Sequence, residues 1–321
     1  KPNKIKRAVP TKKVVHKKIA QEEEYTRFSD WSAAAAFIDE MHDKHGFDAT
    51  ELRKQLNRAH FLENVVQLIN PPPPTKLKNW TVYRQRFIEP VRIKAGIAFW
   101  NKYESQLTRA ESEFGVPADI IVGIIGVETL YGRMAGKIRV MDALTTLAFA
   151  YPKTANRDAR MAYFKSELEQ TLLYARENNI DPFSLYGSFA GAVGWPQFMP
   201  GSIRRFAVDY DGDGKIDLKQ SPKDAIASVG NFMKKHGWQS GMPISFPVQA
   251  NAIPAAKELA DGEPQLRYTV QELIEKGILT KQQGDLQSGG VEPNSKAFIV
   301  DLPYPDKDGT DQVQYFVGLN N

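Results

Sequence analysis

Apolar side chains recur at helical spacing through most of the chain as far as Asn178, and this periodicity predicts a mainly α-helical protein. Ser29 or Asp30 is a candidate N-cap for the first predicted helix. Four consecutive prolines at 71–74 form a stiff break, which predicts a domain boundary. The helical pattern holds in residues 33–41, 48–68, 80–114 and 149–178.

The composition changes after about Gly241, where proline and glycine become frequent. Residues 298–302 and 313–317 have the pattern of strands, the second with apolar side chains at alternate positions. We therefore predict a mainly α protein of the α+β class. The expected organisation is a flexible basic tail (1–27), an N-terminal helical domain (28–79), a helical core (80–240) and a small strand-containing domain (241–321).

The longest apolar run leads directly to a carboxyl group. Residues 120–127 carry no polar side chain and are followed by Glu128. Pro117 suits the first turn of a helix and Asp119 its positive end, so the run predicts a helix that is buried all round. Burial raises the pKa of a carboxyl group, because it disfavours the ionised form. A carboxylic acid that stays protonated near neutral pH can protonate the leaving oxygen in a glycosidase, so Glu128 is a candidate general acid.

A second interpretation of Glu128 stays open at this point. A single glutamate after an apolar run can also be the first exposed residue at a helix end, or the ion-pair partner of Arg133. Gly123 and Gly126 favour the catalytic interpretation. Each glycine costs about 1 kcal/mol of helix stability, so two of them suggest close packing or a nearby ligand.

The segment 187–202 is too rich in glycine for a routine helix. Its small residues let a ligand approach the backbone, and Trp195 and Phe198 offer flat apolar faces that suit sugar rings. Ser188 and Gln197 can form hydrogen bonds with hydroxyl or acetamido groups. A glycine-rich packing corner explains the segment equally well when it is considered alone.

Residues 209–217 follow the pattern of an EF-hand calcium loop, with Gly214 at its sixth position. Carboxylates this close together repel one another unless a cation offsets them. We therefore expect a structural Ca²⁺ ion and no organic cofactor, with an acidic turn that binds no metal as the alternative. The twelfth position departs from the pattern, since Gln220 stands where a bidentate glutamate is expected. The predicted ligands are the side chains of Asp209, Asp211, Asp213 and Asp217 and the backbone carbonyl of Lys215.

The charge of the chain is unevenly distributed. The net charge is +4, but the segment from Lys1 to Lys18 contains eight basic and no acidic side chains, which leaves 34 basic against 38 acidic side chains in the remainder. That remainder lacks the basic bias and the motifs of a nucleic-acid-binding protein, so no nucleic-acid partner is expected. The basic tail is either a solvated arm or a contact for phospholipid head groups or other envelope polyanions.

Cysteine is absent, which excludes disulfides, thiolate metal sites and cysteine nucleophiles. No apolar stretch is long enough to span a bilayer, and no apolar segment of a signal peptide follows the basic N-terminus. The protein is therefore either cytosolic or has lost a targeting segment.

Two motifs resemble the membrane-bound lytic transglycosylase B family, whose core is similar to goose-type lysozyme. They are GVETLYGR at 126–133 and GSFAGAVGWPQFMPGS at 187–202, and they occur in the order of the family. The resemblance implies a lysozyme-like helical core and a monomeric periplasmic enzyme that acts on peptidoglycan glycan strands. It leaves open an outer-membrane association through a removed lipid anchor or the basic tail. The similarity extends over about 46–321 and includes residues 87–100, 141–144 and 236–238.

For the chemistry, the resemblance implies non-hydrolytic cleavage of the β-1,4 bond between N-acetylmuramic acid (MurNAc) and N-acetylglucosamine (GlcNAc), which gives 1,6-anhydromuramoyl products. Glu128 matches the sole catalytic acid and base of the family, and Ser188 and Gln197 match residues that contact substrate. The muramoyl acetamido group would support the developing positive charge, a substrate-assisted route that needs no second carboxylate.

The sequence departs from the family at positions that bear on the site. Members often carry paired arginines shortly after a Tyr-Pro such as 151–152, and here Arg157 and Arg160 are the nearest candidates for substrate binding. The family also closes a lengthened calcium loop with a later aspartate, for which Asp224 is the counterpart, so the predicted loop is 209–224. Two rival functions remain: a hydrolytic muramidase that uses the same Glu128, and a non-catalytic, calcium-stabilised peptidoglycan-binding protein.

Overall fold

The structure is a computed structural model that describes residues 28, 31–70, 78–305 and 311–321. The chain divides into two compact units, each formed from separate stretches of sequence. The first unit holds the described residues of Lys1–Asn70 together with Gly136–Ala192 and Met199–Gly201, and the second holds those of Pro71–Ala135, Val193–Phe198 and Ser202–Asn321.

Three predictions from the sequence fall outside the described residues: the basic tail at 1–27, the cap at Ser29 or Asp30, and the proline break at 71–74. The first described helix has Trp31 in its N-cap position. The domain boundaries at 28–79, 80–240 and 241–321 stay predictions.

Helices dominate the described residues, as the periodicity predicts. In chain order they are α1 (Ser32–His45), α2 (Ala49–Arg58), α3 (Glu63–Ile69), α4 (Trp80–Gln85), α5 (Pro90–Lys102), α6 (Glu104–Phe114), α7 (Ala118–Thr129), α8 (Val140–Ala150), α9 (Arg157–Glu177), α10 (Pro200–Phe206), α11 (Pro222–Lys235), α12 (Ile253–Leu259) and α13 (Val270–Glu275).

The long helical stretches of the prediction are interrupted in the structure. Residues 80–114 form α4, α5 and α6. Glu89 caps the start of α5 and so separates it from α4. Its carboxylate accepts hydrogen bonds from the backbone N–H groups of Val91 and Arg92, both at 2.8 Å. Between α8 and α9, Pro152 holds the preceding Tyr151 in an extended conformation, with φ −59° and ψ 141°.

Two small antiparallel sheets complete the described structure. Strand β1 (Ile138–Arg139) pairs with β2 (Tyr186–Gly187) in the first unit. In the second unit β3 (Ser245–Pro247), β4 (Tyr268–Thr269), β5 (Lys296–Pro305) and β6 (Asp311–Leu319) form a sheet with the order β3-β6-β5-β4. The two strands predicted from the sequence lie inside β5 and β6, whose register runs from Ala297 opposite Leu319 to Pro305 opposite Asp311.

The core of the first unit lies between α8 and α9. Every residue of α8 from 140 to 149 is buried, and α9 covers the helix with its own buried face. The buried acid Asp142 in this core is paired, whereas the hydroxyl of Thr145 has no hydrogen-bond partner among the described residues. Asp142 accepts hydrogen bonds from Arg139 Nε at 2.7 Å and from the backbone N–H of His60 at 3.0 Å. Such partners offset the cost of burying a carboxylate.

Among its described residues, the second unit has two hydrophobic clusters. The first lies among α6, α7 and α11 and contains Leu107, Ile121, Ile125 and Ile226. The other is formed by the four-stranded sheet with α12 and α13. The first cluster supports α7, the helix that carries Glu128. In the described part of the chain, no helix combines the length and the apolar character needed to cross a membrane.

Candidate active site

Glu128 is the penultimate residue of α7 and lies on the solvent-exposed side of the helix. The prediction that α7 is buried all round is wrong. Ile121 and Ile125 are completely buried, but Val127 is 47% exposed. The hydrophobic cluster covers only one side of α7, and Gly123 and Val127, four residues apart, share the open side. Glu128 therefore stands at the border between core and solvent, where a substrate can reach it.

Partial burial raises the pKa of the Glu128 carboxyl above its usual value. In the described part of the chain, no ion pair joins Glu128 to Arg133, and burial is the cause of the shift. The carboxyl group is thus accessible and biased toward its protonated form. These properties suit a general acid.

Next to Glu128, the completely buried Thr129 ties α7 to Trp195. Its hydroxyl donates a hydrogen bond to the carbonyl oxygen of Trp195 at 2.8 Å and accepts one from the backbone N–H of Gly132 at 3.0 Å. The backbone carbonyl of Thr129 also accepts a bond from Met134 N–H at 2.9 Å. One side chain therefore links the end of the Glu128 helix to the aromatic segment that follows residue 192.

Both the backbone and the side chain of Trp195 are fixed by hydrogen bonds and packing. Its backbone N–H donates to the carbonyl of Leu218 at 2.8 Å, and its indole Nε1 donates to the carbonyl of Lys219 at 3.0 Å. Its ring lies 5.8 Å from the ring of Phe99 and directly against Gly132, where a side chain would collide with the indole. The ring orientation is therefore fixed before any ligand binds.

Gln197 and Phe198 close the same segment. Gln197 has a left-handed backbone, with φ 53°, and its side-chain amide donates to the carbonyls of Gly194 at 2.9 Å and Ala135 at 3.3 Å. Phe198 is only 7% exposed and packs on Phe232, with ring centroids 5.1 Å apart. The expectation that Phe198 presents an open face to a sugar does not fit this burial, because its ring is used in packing.

Ser188 belongs to the first unit and lies just after β2. Its hydroxyl oxygen accepts hydrogen bonds from the backbone N–H groups of Ala190 at 3.2 Å and Ala192 at 3.1 Å. A hydroxyl group has two acceptor sites and one donor. With the acceptor sites engaged by the loop, the hydroxyl hydrogen is the part of Ser188 that can bind a ligand.

Arg157 and Arg160 also belong to the first unit, in the first turn of α9. The Nε of Arg157 donates to the carbonyl of Tyr151 at 2.9 Å. The guanidinium of Arg160 lies over three aromatic rings, 5.0 Å from the centroid of Phe164, 5.3 Å from Tyr163 and 5.8 Å from Tyr151. Both arginines are thus anchored by the residues around the Tyr-Pro step.

In the acidic loop of the second unit, the carboxylates of Asp209, Asp211 and Asp213 converge, with one oxygen from each within 4.8 Å of the others. Both oxygens of Asp209 accept backbone N–H bonds at 2.8 Å, from Gly212 and Gly214. The backbone of the loop therefore holds the Asp209 carboxylate in a fixed orientation. Three oxygen donors at this spacing fit a hard divalent cation.

Asp217 and Asp224 bind the backbone of the loop. Asp224 is 1% exposed, and its two oxygens accept from the N–H groups of Tyr210 and Asp217, both at 2.9 Å. Asp217 accepts from the N–H groups of Lys219 at 2.9 Å and Gln220 at 2.8 Å. Asp224 thus joins the start and the end of the loop.

The predicted site residues divide between the two units. The second unit contains Glu128, Trp195, Gln197 and the acidic loop, and the first contains Ser188, Arg157 and Arg160. Three further residues lie at or contact the end of α7 next to Glu128 and are not among those predicted from the sequence: Thr129, Tyr131 and Arg92. The sequence signals Thr129 only as a polar residue at the end of an apolar helix.

Comparison with known proteins identifies the family. The model of the transglycosylase SLT domain matches residues 28–321. The membrane-bound lytic murein transglycosylase B of Escherichia coli K12 is 46% identical over 263 residues, which are 79% of this chain and 70% of that protein.

Solved structures agree with this assignment. The catenated lytic transglycosylase SltB1 from Pseudomonas aeruginosa is 38% identical, with a TM-score of 0.77 over 91% of this chain and 90% of that one. The Escherichia coli lytic transglycosylase Slt35 in complex with calcium is 39% identical, with a TM-score of 0.73 over 92% of this chain and 86% of that one. The predicted fold class, mainly helical with a lysozyme-like core, is confirmed. The chain belongs to the membrane-bound lytic transglycosylase B family, and it is a transglycosylase of the SLT type.

Proposed function

We propose that this enzyme cleaves the β-1,4 bond between MurNAc and GlcNAc in peptidoglycan without water, leaving 1,6-anhydromuramoyl ends. The name of the Escherichia coli relative, a lytic murein transglycosylase, supports the same polymer as substrate here. The observation that carries the proposal is the carboxyl of Glu128, which is accessible at the end of α7 and has a pKa raised by burial.

Glu128 acts as both acid and base. In the first step its carboxyl gives a proton to the glycosidic oxygen, the bond from that oxygen to C1 of the muramoyl residue breaks, and the GlcNAc portion leaves as an alcohol. The acetamido oxygen of the same muramoyl residue supports the positive charge at C1. In the second step the Glu128 carboxylate takes the proton of the muramoyl 6-hydroxyl while that oxygen bonds to C1. The carboxyl is regenerated and no water is consumed.

The isolation of Glu128 supports a mechanism with one carboxyl group. Among the described residues, no neighbouring carboxylate contributes to the raised pKa of Glu128. Inverting hydrolases need a second carboxylate to activate water, and retaining ones usually need it as a nucleophile. A mechanism with one protein carboxyl group fits this site, and the released products distinguish the transglycosylase from the hydrolytic muramidase.

Ser188 and Gln197 each supply a hydrogen-bonding group for the substrate. The Ser188 oxygen already accepts two N–H bonds, so its hydroxyl donates to the acetamido carbonyl of the muramoyl residue. The side-chain N–H₂ of Gln197 is engaged by two backbone carbonyls, so its Oε1 accepts from a sugar hydroxyl or amide. Each group is fixed in its orientation by the backbone, which lowers the entropy lost on binding.

The remaining substrate contacts come from aromatic and basic groups. Trp195 provides a flat face for a sugar ring, and the buried Phe198 supports the segment from behind. Arg157 and Arg160 bind carboxylates of the substrate, since anchored guanidinium groups are suited to planar acids.

Calcium binds the acidic loop and stabilises it. The ligands are the carboxylates of Asp209, Asp211 and Asp213 and the carbonyl of Lys215, with Asp217 at the ninth position of the loop and Asp224 closing it. The convergence of three carboxylates supports this site, as does the calcium complex of the Slt35 relative. The ion supplies structural charge compensation, and no chemical step at Glu128 uses it.

The enzyme works in the periplasm as a monomer, and the membrane-bound relative supports an association of this chain with the membrane. Its partners are the glycan strands, and no nucleic acid is involved.

The variant Glu128→Gln tests the catalytic assignment. The amide is nearly isosteric but can neither give nor take the proton, so lysis of purified peptidoglycan should fall by about 10²–10⁴-fold or more. Glu111→Gln, on an exposed glutamate of α6, is the matched control and should retain full activity. If Glu128→Gln keeps more than a few per cent of the parent rate, Glu128 is not the acid. If the parent protein itself binds but never cleaves, it is a binding protein.

A further inference from the structure

The backbone directly after Glu128 and Thr129 is left-handed at three consecutive residues, Leu130 with φ 50°, Tyr131 with φ 56° and Gly132 with φ 82°. Glycine adopts this conformation freely, but leucine and tyrosine do so only against a steric penalty. Such strain persists only where the surrounding structure enforces it. Packing must therefore hold the turn at the end of α7 in place.

The side chain of Tyr131 supplies this packing. Its ring stacks on Phe99 of α5, with centroids 5.1 Å apart. Its hydroxyl end lies in a slot between the backbones of α5 and α7, at Gly96 and Gly126. A Cβ atom at Gly96 would come within 2.5 Å of the Tyr131 oxygen and 3.2 Å of the ring carbon that carries it, and one at Gly126 would collide with the hydroxyl as well. Both glycines are helical, so they are needed for space and not for their backbone angles.

Arg92 completes the contact from α5. Its Nη1 donates a hydrogen bond to the carbonyl oxygen of Gly126 in the last turn of α7, and its guanidinium lies close enough to Tyr131 to influence the hydroxyl electrostatically. A cation at the C-terminal end of a helix is favourable, because the helix dipole is negative there. Helix α5 thus holds the end of α7 through both Arg92 and the Tyr131 slot.

We infer that Tyr131 is a positioning residue for Glu128. The slot at Gly126 lies two residues before Glu128 and Tyr131 lies three residues after it, so the wedged ring fixes the backbone on both sides of the carboxylate. If the ring is displaced, Leu130 and Tyr131 relax toward ordinary backbone angles and Glu128 changes direction. This inference rests on the proposed role of Glu128 as acid and base.

The test adds a methyl group at Gly96 and removes the hydroxyl oxygen of Tyr131, first separately and then together. Gly96→Ala pushes a methyl group into the Tyr131 oxygen and should lower kcat by about tenfold or more, because small misplacements of a catalytic group have large kinetic effects. KM on solubilised glycan strands should change little. Tyr131→Phe, which keeps the ring, should retain most of the activity. The double variant should recover most of kcat, since removing the oxygen leaves the methyl group only the ring carbon 3.2 Å away.

Gly123→Ala is the matched control, because it adds the same methyl group to α7 at a position with nothing within 4 Å. It should leave kcat and KM unchanged. If Gly96→Ala does not fold, Tyr131→Leu replaces it: this variant removes the wedge and should lose kcat, while Tyr131→Phe does not.

The inference is overturned if folded Gly96→Ala or Tyr131→Leu keeps the parent kcat, or if the double variant is no better than Gly96→Ala. It is also overturned if the loss falls on KM alone. Glu128→Gln in the same assay separates the two proposals. An active Glu128→Gln removes the proposed function itself, whereas an inactive Glu128→Gln beside a fully active Gly96→Ala removes only the role of Tyr131.

Discussion

At the scale of single residues, substitution of Thr129 tests the hydrogen bond that joins α7 to Trp195. Thr129→Val is isosteric but leaves the Trp195 carbonyl and the Gly132 N–H without their partner. Leaving buried polar groups unpaired costs about 1–3 kcal/mol, and the free energy of unfolding in urea should fall by that amount.

Thr129→Ser keeps the hydroxyl and should lose less than Thr129→Val, although it also removes a buried methyl group. A Thr129→Val variant that is as stable as the parent would show that the two hydrogen bonds contribute nothing.

The protonation of Glu128 predicts the pH dependence of the reaction. A glutamate ordinarily titrates at a pKa of about 4.3, and burial raises the pKa of Glu128. The protonated form is the acid, so kcat/KM should fall as the pH rises through this raised pKa. The alkaline limb of the profile should therefore lie above the ordinary range of a glutamate. A limb at about 4.3, or one that Glu128→Gln leaves in place in its residual activity, would contradict the assignment.

Some of these residues could be predicted from the sequence and others could not. Glu128, Trp195 and Gln197 stand in two long motifs, and a motif fixes residue identity directly. The left-handed angles of Leu130 and Tyr131 depend on Gly96 and Phe99, which lie far earlier in the chain, and no local propensity reports such packing. The burial of Phe198 against Phe232 is likewise a tertiary contact between distant residues.

At the scale of elements, the acidic loop predicts a calcium-dependent stability. The folded loop gathers three carboxylates, so Ca²⁺ should bind the folded state and raise the melting temperature progressively with its concentration. Asp213→Asn should reduce this increment, since it removes one charged ligand while the amide oxygen can still accept from Lys215 N–H. Asp43→Asn, at an exposed position of α1, is the control. An identical melting curve in chelator and in millimolar calcium would exclude the ion.

A variant of Asp224 distinguishes the stability that comes from its backbone hydrogen bonds from the stability that comes from bound metal. Its carboxylate accepts two backbone N–H bonds while buried, so Asp224→Asn should lower the melting temperature even in chelator. The amide replaces one acceptor with a donor that faces an N–H group, which leaves a buried group unpaired. If Asp224→Asn and the parent have the same melting temperature in chelator, the two hydrogen bonds of Asp224 do not stabilise the loop.

Element boundaries illustrate what local patterns can predict. The run 80–114 has one continuous helical periodicity, yet Pro90 at the start of α5, with Glu89 as its cap, divides it in a way that the sequence signals. The sequence predicts strands at 298–302 and 313–317, the second from its alternation, and both lie inside β5 and β6. The two-residue strands β1 and β2 are not predicted, because Ile138 pairs with Gly187 from a distant part of the chain.

At the scale of the whole molecule, the sequence predicts the family and the fold class, and both predictions are confirmed. Two long motifs in the order of the family identify it, and the match over residues 28–321 extends this to nearly the whole chain. The division into units is different. Each unit is assembled from separate stretches of chain, so a composition change near Gly241 or a run of prolines cannot reveal it.

In the proposed reaction the muramoyl 6-hydroxyl, and not water, attacks C1. A tethered hydroxyl has a high effective concentration at the reacting carbon, so it outcompetes solvent when the site is closed around the sugar. The most direct measurement is the mass spectrum of muropeptides released from purified peptidoglycan, before and after borohydride. We expect products that are lighter by one water than hydrolytic ones and that borohydride leaves unchanged. Predominantly reducing products, which borohydride converts, would show that water is the nucleophile and that the enzyme is a muramidase.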